Sequence, residues 1–406
     1  MNKNNENKLV PKYRFPEFAN HGNWQEKSFS QLFEFGNGKD YKHLLNGDIP
    51  VYGTGGKMLS VNDYLFDGES VCIGRKGTID SPLFLTGKFW TVDTLFYTHS
   101  FVNSKPKFIY YIFQNVNWYD YNEAGGVPSL SKTTIKQIKT LIPPRINEQE
   151  KIVACLSSLD EVIKTESQKL EVLKEHKKGL LQNLLPQAGE TVPKFRFKEF
   201  EDSGEWVEKR VEDYFDVGSS KRVLQQDWAS QGVPFYRTRE LVSLSKHEPF
   251  GSEIFISEEL YNDLKVNYGI PTIGDFLVSG VGTLGICYQV KQNDRFYFKD
   301  GNVIWFKLKG DLNSTYFKYC FESEHIQNQI VGQTSKSTVG TYTIQNAKKT
   351  KFWFAPATKE QEKIADTLSS IDELIIAQGQ KLEAMQQHKK GLFQGLFPNL
   401  NEGNDG

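Results

Sequence analysis

The sequence predicts two α/β domains, related by a pseudo-twofold axis and joined by two long antiparallel coiled-coil helices. Three observations carry this prediction. One stretch occurs twice, at residues 147–186 and 359–398, and the copies align without a gap at an offset of 212 residues. The apolar residues in each copy keep 4-3 spacing for about five heptads, the pattern of a coiled coil. A looser likeness relates the regions that precede the two copies, which indicates an internal duplication.

The heptad seam is narrow and has polar residues at the same two positions in both copies. These are Glu166 and Lys177 in the first copy and Gln378 and Lys389 in the second. The alternative is a long amphipathic helix packed on a globular core, and the length and narrowness of the seam favour the coiled coil. The predicted apolar seam consists of Ile152, Leu156, Leu159, Ile163, Leu170, Leu173, Leu180 and Leu184, and of Ile364, Leu368, Ile371, Ile375, Leu382, Met385, Leu392 and Leu396.

Geometry predicts the relative direction of the two helices. A helix of this length spans about 55–60 Å at about 1.5 Å per residue. The segment between the helices forms a compact domain only about 40 Å across. Parallel helices would require that segment to bridge a whole helix length, so we expect antiparallel helices with one domain at each end.

The predicted boundaries follow from the repeats. We expect globular domains at 1–146 and 187–357, long helices at 147–186 and 358–398, and a disordered tail at 399–406. The opening PKYRF at 11–15 returns as PKFRF at 193–197, an offset of 182 that rises to 212 by the second helix. The second domain therefore holds about 30 extra residues in its middle, as expected when one scaffold carries two different binding surfaces.

Inside the domains, hydrophobic patterning predicts a mixture of short elements. We expect a short amphipathic helix at 28–35 and helices with aromatic faces at 107–117 and 314–331. Short apolar strands before glycine turns are predicted at 70–73 and 275–278, and alternating strands at 90–97 and 295–306.

The bulk composition is ordinary, which confines any basic surface to local patches. The formal net charge is −1, so binding to nucleic acid cannot be argued from overall basicity. The four cysteines are scattered without disulfide or zinc spacing, which fits a reducing cytoplasm. The polar N-terminus has no signal-peptide core, and no apolar run reaches the length of a membrane span.

Three fragments resemble enzyme motifs, and each fails a test of context. Residues 34–38, EFGNG, resemble the acidic turn of adenosylmethionine sites but follow a predicted helix instead of a strand. Residues 53–58 lack P-loop spacing, and Ile142-Pro143-Pro144-Arg145 lacks the Asp or Asn and the aromatic residue of an amino-methyltransferase. The sequence therefore argues against a catalytic, metal or cofactor site on this chain.

The remaining loop residues suit contact with DNA. Arginine can bind guanine through two hydrogen bonds, glycine lets the backbone approach a phosphate, and hydroxyls and lysines position phosphates. Exposed loops also carry such residues without a function, and only their recurrence in both domains favours DNA. The candidates are Lys39, Lys42, His43, Arg75, Lys76, Thr78, Ser131 and Lys132 in the first domain, and Lys221, Arg222, Arg237, Thr238, Arg239, Thr283, Lys336, Ser337 and Thr338 in the second.

These motifs together resemble the specificity subunit of type I restriction–modification systems. The resemblance rests on the twin EQEKI and HKKGL helices, the PKxRFxEF openings, and the Leu130-Ser131-Lys132 run that leads to Pro143-Pro144. The second domain departs from the pattern, because TVGT at 338–341 stands at the place of Leu130-Ser131-Lys132 and Ala355-Pro356 replaces the two prolines.

The resemblance implies a non-catalytic subunit that binds double-stranded DNA. Each domain would read half of a split, asymmetric target, and the helices would set the gap between the halves. Two methyltransferase subunits would supply S-adenosylmethionine chemistry and flip an adenine, and endonuclease/translocase subunits would join with Mg²⁺ and ATP. The alternatives are a coiled-coil adaptor with protein-binding end domains and a fused methyltransferase.

Overall fold

The computed structural model describes residues 9–187, 189–245, 251, 253–334 and 340–398. The chain forms two compact units. Unit 1 comprises Met1–Glu166 together with Leu382–Gly406, and unit 2 comprises Ser167–Lys381. Every helix in the described ranges is too short or too polar to span a membrane.

Unit 1 combines short strands with helical segments. Its strands are β1 (Gln25–Ser28), β2 (Glu34–Asn37), β3 (Asn46–Gly53), β4 (Gly56–Val61), β5 (Phe66–Asp67), β6 (Ser70–Gly74), β7 (Leu83–Leu85), β8 (Lys88–Thr91), β9 (Leu95–His99) and β10 (Lys139–Ile142). Its helices are α1 (Pro106–Asn115), α2 (Lys132–Lys136) and the first part of α3 (Ile146–Leu184), with 3-10 turns at Pro16–Phe18, Phe29–Gln31 and Trp118–Tyr121.

Three sheets build unit 1. One has the order β2-β9-β6-β7 and is antiparallel throughout. The second has the order β4-β3-β8-β5, in which β3 and β8 run parallel. Strands β1 and β10 form a third, two-stranded sheet that brings the start of the domain to the start of α3.

Unit 2 repeats these elements and adds helices. Its strands are β11 (Val207–Arg210), β12 (Phe215–Gly218), β13 (Val233–Tyr236), β14 (Phe255–Ile256), β15 (Phe276–Ser279), β16 (Cys287–Gln289), β17 (Tyr297–Phe298), β18 (Val303–Leu308) and β19 (Lys351–Phe354). Its helices are α4 (Val211–Tyr214), α5 (Thr238–Ser245), α6 (Glu258–Tyr268), α7 (Ser314–Glu322), α8 (Glu324–Thr334), α9 (Ile344–Lys349) and the first part of α10 (Thr358–Leu396), with 3-10 turns at Lys198–Phe200 and Gln225–Asp227.

The sheets of unit 2 repeat those of unit 1, except that the sheet β14-β13-β17 has no counterpart of strand β5 among the described residues. The order β12-β18-β15-β16 repeats β2-β9-β6-β7, and the parallel pair β13/β17 repeats β3/β8. Strands β3 and β4 form a direct hairpin, whereas α5 separates β13 from β14 and α6 follows. The duplication is confirmed, and the extra residues of the second domain include these two helices.

The two long helices run antiparallel within each unit. In unit 1, Ile152 and Leu156 from the start of α3 share one buried core with Leu396, the last residue of α10, and with Phe397, which follows it. In unit 2, Leu184 from the end of α3 shares a core with residues from the start of α10. All predicted seam residues of both helices are buried or half-buried, whereas most positions between them are exposed.

Twin ion pairs hold the opening segment of each domain to the start of a long helix. Arg14 donates to both carboxylate oxygens of Glu148 at 2.8 Å and to the carbonyl of Gly22 at 2.7 Å. Arg196 makes the same three contacts with Glu360 and Gly204. The repeated sequence motifs PKxRF and EQEKI are therefore the two sides of one structural contact.

Three predictions of local structure were wrong in part. Residues 28–35 form a 3-10 turn followed by β2, because Phe35 pairs with Thr98 of β9 and sheet formation overrides the helical pattern. The predicted strands at 90–97 and 295–306 are each interrupted, giving β8/β9 and β17/β18. The predicted helix at 314–331 is broken at Ser323, which has extended backbone (ψ 153°).

Candidate nucleic-acid interface

Four loops of unit 1 meet to form a surface that we call rim 1, residues 38–43, 74–78, 91–94 and 128–131. Segment 91–94 is hydrogen-bonded to loops 38–43 and 74–78, and loop 74–78 is hydrogen-bonded to loop 128–131. The amide of Lys39 donates to the carbonyl of Thr91 at 2.8 Å, and the amide of Arg75 donates to the carbonyl of Thr94 at 2.7 Å. The amide of Leu130 donates in turn to the carbonyl of Arg75 at 2.8 Å. The fold therefore joins loops that are far apart in sequence.

Two glycines of rim 1 are required by close backbone contacts. A Cβ atom at position 38 would lie 1.9 Å from the carbonyl oxygen of Val92, and one at position 74 would lie 1.9 Å from that of Thr78. Distances below about 3 Å are not compatible with a side chain. These glycines hold the loops of rim 1 against each other, a role that differs from the phosphate approach expected from the sequence.

Most candidate residues of rim 1 are exposed. This holds for Lys39, Lys42, His43, Arg75, Lys76 and Thr78. The ring of His43 lies edge-on to the indole of Trp90, with 5.8 Å between ring centroids. Rim 1 thus presents several cations on one side of unit 1, as binding to a polyanion requires.

Ser131 and Lys132 face the protein instead of solvent. The hydroxyl of Ser131 accepts a hydrogen bond from the amide of Thr134 and caps α2. The amino group of Lys132 donates to the carbonyl of Phe35 at 2.7 Å, and burial lowers the pKa of Lys132. Both side chains have structural roles, and contact with DNA stays a prediction for them.

Unit 2 has a corresponding surface, rim 2, formed by residues 219–222, 237–239, 280–283, 299–302 and 341–343. Two of its backbone links repeat those of rim 1. The amide of Gly280 donates to the carbonyl of Asn302, and the amide of Tyr342 donates to the carbonyl of Gly280, each at 2.9 Å. Gly280 therefore occupies the place of Arg75, and Tyr342 that of Leu130.

This equivalence corrects the alignment of the second domain. The sequence reading placed residues 338–341 opposite Leu130-Ser131-Lys132. The structure places Tyr342 and Thr343 there, because Thr343 caps α9 through the amide of Asn346 as Ser131 caps α2. The offset of 212 thus extends back from the helices to this loop.

The candidate residues of rim 2 differ in accessibility. Lys221, Arg222 and Thr283 are exposed, and the Lys221 amino group lies 5.0 Å from the ring centroid of Tyr268. Within the described ranges, the hydroxyl of Thr238 is buried without a hydrogen-bond partner. Lys336, Ser337 and Thr338 lie outside the described residues.

Arg237 and Arg239 form an ion-pair cluster with two glutamates. Arg237 donates to both carboxylate oxygens of Glu240, at 2.6 and 3.3 Å, and its amide donates to the same group at 2.9 Å. Arg239 contacts Glu240 at 3.2 Å and Glu253 at 2.6 Å. Burial opposes the charge of Glu240, which is 2% exposed, but hydrogen bonds from Arg237 hold its pKa below the ordinary value.

Sequence reasoning missed the residues that organise rim 1. Thr91 and Thr94 act through backbone carbonyls, and a carbonyl contact leaves no pattern in the sequence. The neutralisation of Arg237 did have a signal, because Glu240 follows it by three residues at the start of a helix, where acidic residues commonly cap.

A polar cluster occupies the second polar seam position in each unit. In unit 1, Tyr111 donates to Asp160 at 2.7 Å, and Asp160 also pairs with Lys389. In unit 2, Tyr319 donates to Asp372 at 2.8 Å, and Asp372 pairs with Lys177 at 2.7 Å. In each cluster the aspartate therefore joins the seam lysine of the facing helix to a tyrosine of the adjoining domain.

The cluster of unit 2 carries two further charges. Lys318 pairs with Asp372 at 2.8 Å, and Glu322 pairs with Lys177 at 2.7 Å. Burial opposes the charge of Lys177, but Glu322 and Asp372 outweigh it and raise its pKa. Burial likewise opposes ionisation of Asp372, yet Lys318 and Lys177 keep its pKa below the ordinary value.

Duplicated α/β domains with equivalent loop rims define a chain built from two copies of one kind of domain. The family model described as type I restriction modification DNA specificity domain matches residues 21–175 and 203–387. The chain therefore belongs to this family and is a type I restriction–modification specificity subunit with two DNA specificity domains.

Relatives and solved structures agree with this assignment. The chain is 26% identical over 353 residues to a putative type I restriction enzyme specificity subunit of Haemophilus influenzae, covering 85% of this chain and 86% of the relative. It is 23% identical over 357 residues to the type I restriction enzyme MjaVIII specificity subunit of Methanocaldococcus jannaschii, covering 84% and 79%.

Its fold is similar to that of the type I restriction–modification S subunit from M. genitalium. The TM-score is 0.67 at 14% identity, and the match covers 97% of this chain and 100% of the other. A chain from a structural study of complex assembly and conformational transition of the type I R-M system matches with a TM-score of 0.54 at 13% identity, covering 92% and 96%.

Proposed function

We propose that this specificity subunit recognises a bipartite, asymmetric sequence in double-stranded DNA, one half through rim 1 and the other through rim 2. The observation that carries the proposal is that the two rims share one backbone scaffold but differ in their side chains. The exposed Arg75 of rim 1 has Gly280 as its counterpart in rim 2, and the exposed Lys76 has Val281, since each pairs with the equivalent loop through an isolated bridge. Equal scaffolds with unequal surfaces are suited to reading two different half-sequences.

The cations of rim 1 supply the phosphate contacts that this role needs. Lys39, Lys42 and Lys76 are exposed, and lysine contacts with phosphates set affinity and register on a duplex. In rim 2, Lys221 and Arg222 are exposed at the corresponding loop. Because the net charge of the chain is only −1, these local patches carry the attraction, and binding should weaken steeply with salt.

The long helices would set the gap between the two half-sequences. Each unit fixes both helices through a buried core and a Tyr–Asp–Lys cluster. Fixed helix ends at both domains are what a rigid spacer requires. The duplicated helical regions would also dock two methyltransferase subunits, and endonuclease/translocase subunits would complete the restriction complex.

The chemistry would belong to the partner subunits. S-adenosylmethionine would bind the methyltransferase subunits, which would flip and methylate one adenine in each half-site, and Mg²⁺ and ATP would serve the endonuclease/translocase. This chain would contribute recognition and assembly.

The test is single-molecule methylome sequencing of cells that carry this chain with and without its cognate methyltransferase subunits. A new bipartite adenine-methylation motif that requires both is expected. An assembled complex without a new motif would overturn the proposal and favour an adaptor with protein-binding end domains. Methylation by the purified chain alone would contradict its assignment as non-catalytic.

A further inference from the structure

Arg75 occupies the central position of rim 1, with its backbone fixed on both sides. Its amide donates to the carbonyl of Thr94 at 2.7 Å, and its carbonyl accepts from the amide of Leu130 at 2.8 Å. It directly follows β6, whose last residue, Gly74, is buried and has no room for a Cβ atom. The point from which the side chain leaves the protein is therefore well defined.

The guanidinium of Arg75 is exposed and has no hydrogen bond or ion pair with any other described residue. Arg237 and Arg239 of unit 2 present the opposite case. Both are held by the buried carboxylate of Glu240, and Arg239 also by Glu253. If Arg237 turned to bind DNA, it would withdraw its two guanidinium hydrogen bonds from the buried carboxylate of Glu240, which is costly.

Unit 2 has no arginine at the place of Arg75. The backbone contacts place Gly280 there, as its amide donates to Asn302 and its carbonyl accepts from Tyr342. An interaction made by the Arg75 side chain is thus specific to unit 1.

We propose that Arg75 reads a guanine in the half-site of unit 1, by donating two hydrogen bonds to N7 and O6 in the major groove. The inference rests on the proposed function, since it assigns a base to one rim. Arginine is the residue best suited to this contact, because its planar guanidinium matches both acceptors of guanine. A fixed backbone reduces the ordering cost on binding.

Two lysines of rim 1 are suited to contacting DNA phosphates beside the base that Arg75 reads. Lys39 and Lys76 are exposed on the same rim, and lysine contacts with phosphate would place the rim on the duplex without reading sequence. Arg75 could itself bind only phosphate, and the experiments below separate that outcome from base recognition.

The first experiment is methylome sequencing of cells that carry the complete methyltransferase complex with Arg75→Ala, Arg75→Lys or Arg145→Ala. Arg145 is an exposed arginine of unit 1 outside rim 1, and its variant should keep the wild-type motif. Arg75→Ala should relax one guanine position in one half-site, with about 5- to 150-fold less discrimination, and leave the other half unchanged. Arg75→Lys should be intermediate.

Three outcomes would overturn the inference. These are an unchanged motif, an equal loss of methylation at every site, and a unit 1 half-site without guanine. An absent motif in the wild-type complex would instead reject the proposed function, so the two failures are distinguishable.

The second experiment tests the contacted atom directly. The purified complex is titrated with a duplex whose candidate guanine is replaced by 7-deazaguanine, which lacks the N7 acceptor. The replacement should weaken wild-type binding and leave Arg75→Ala binding unchanged. Equal weakening of both proteins would show that Arg75 does not contact N7 and would overturn the assignment.

Discussion

Arg14 holds the buried carboxylate of Glu148 through two parallel hydrogen bonds of 2.8 Å, and the indole of Trp24 donates a third at 3.1 Å. In unit 2, Arg196 holds Glu360 through the same two bonds, but the indole nitrogen of Trp206 has no partner among the described residues. The two carboxylates, each 1% exposed at the side chain, therefore depend on their arginines to different degrees.

This difference predicts unequal effects of removing the arginines. Arg14→Met and Arg196→Met should each destabilise the affected unit by about 3–5 kcal/mol, because each leaves a buried carboxylate unpaired. Arg196→Met should be the more severe, since Glu148 keeps a hydrogen bond from Trp24 and Glu360 has no equivalent. Hydrogen exchange followed by mass spectrometry localises the loss to one unit.

The control for this prediction removes the charge of the glutamate that each arginine holds. Adding Glu148→Gln to Arg14→Met, or Glu360→Gln to Arg196→Met, should recover part of the stability. Double variants as unstable as the single ones would show that packing of the arginine, and not its charge, stabilises the contact.

The lowered pKa of the Asp372 carboxyl group predicts how the stability of unit 2 depends on pH. This pKa is held below the ordinary value of 3.8 against the effect of burial by Lys318 and Lys177. A lowered pKa in the folded state stabilises above the unfolded-state pKa, and this contribution is lost as pH falls through the folded-state pKa. Unit 2 should therefore lose stability below about pH 4.

The variant Asp372→Asn isolates this contribution. It should lower stability at neutral pH and flatten the acid limb of the denaturation midpoint measured against pH. Glu373→Gln, which changes an exposed carboxylate on the same helix, is the matched control and should retain the wild-type acid limb. An equally steep acid limb in Asp372→Asn would contradict the assignment.

Phe397, which directly follows α10, packs into the core of unit 1. Its ring lies 5.3 Å from that of Phe108 and 6.2 Å from that of Trp24, measured between centroids. Phe397→Ala should destabilise unit 1 by about 3–5 kcal/mol, as is usual when a buried aromatic residue is truncated. Leu185→Ala is the matched variant in unit 2, and each should affect hydrogen exchange in its own unit. An effect of Phe397→Ala confined to α10 would argue against the shared core.

The spacer role predicts the effect of lengthening α3. Four residues inserted after Glu166 add about one helical turn, which preserves the seam with local unwinding. We expect the gap between the two methylated half-sequences to change and each half-sequence to stay the same. An insertion of equal length after Gln292, in an exposed turn of unit 2, should leave the gap unchanged. Methylome sequencing decides, and altered half-sequences in the α3 variant would contradict the prediction.

The sequence was most informative where periodicity is long. The sequence predicted helices at 147–186 and 358–398, and the structure has them at Ile146–Leu184 and Thr358–Leu396. Short segments were less predictable, because residues 28–35 have a helical pattern yet Phe35 is drawn into a sheet by pairing with Thr98. Local pattern fails where a distant strand supplies the hydrogen bonds.

For the candidate interface, the sequence identified charged loop residues but could not rank them. Arg75 and Arg237 look alike in sequence, since each stands at the end of a strand beside glycine or threonine. The position of Glu240, three residues after Arg237, allows an ion pair, and the folded structure shows that this pair forms, whereas the side chain of Arg75 has no partner among the described residues. Ranking required knowledge of which carboxylates the fold brings near each arginine.

The placement of Leu396 and Phe397 in the core of unit 1 also determines the order in which the chain can fold on the ribosome. Unit 2 is continuous, Ser167–Lys381, whereas unit 1 needs residues from both ends of the chain. When Lys381 has been synthesised, unit 2 is complete but the first domain still lacks the last side chains of its core. The domain made first therefore finishes last, and a truncated translation product would expose an unfinished N-terminal core to chaperones and proteases.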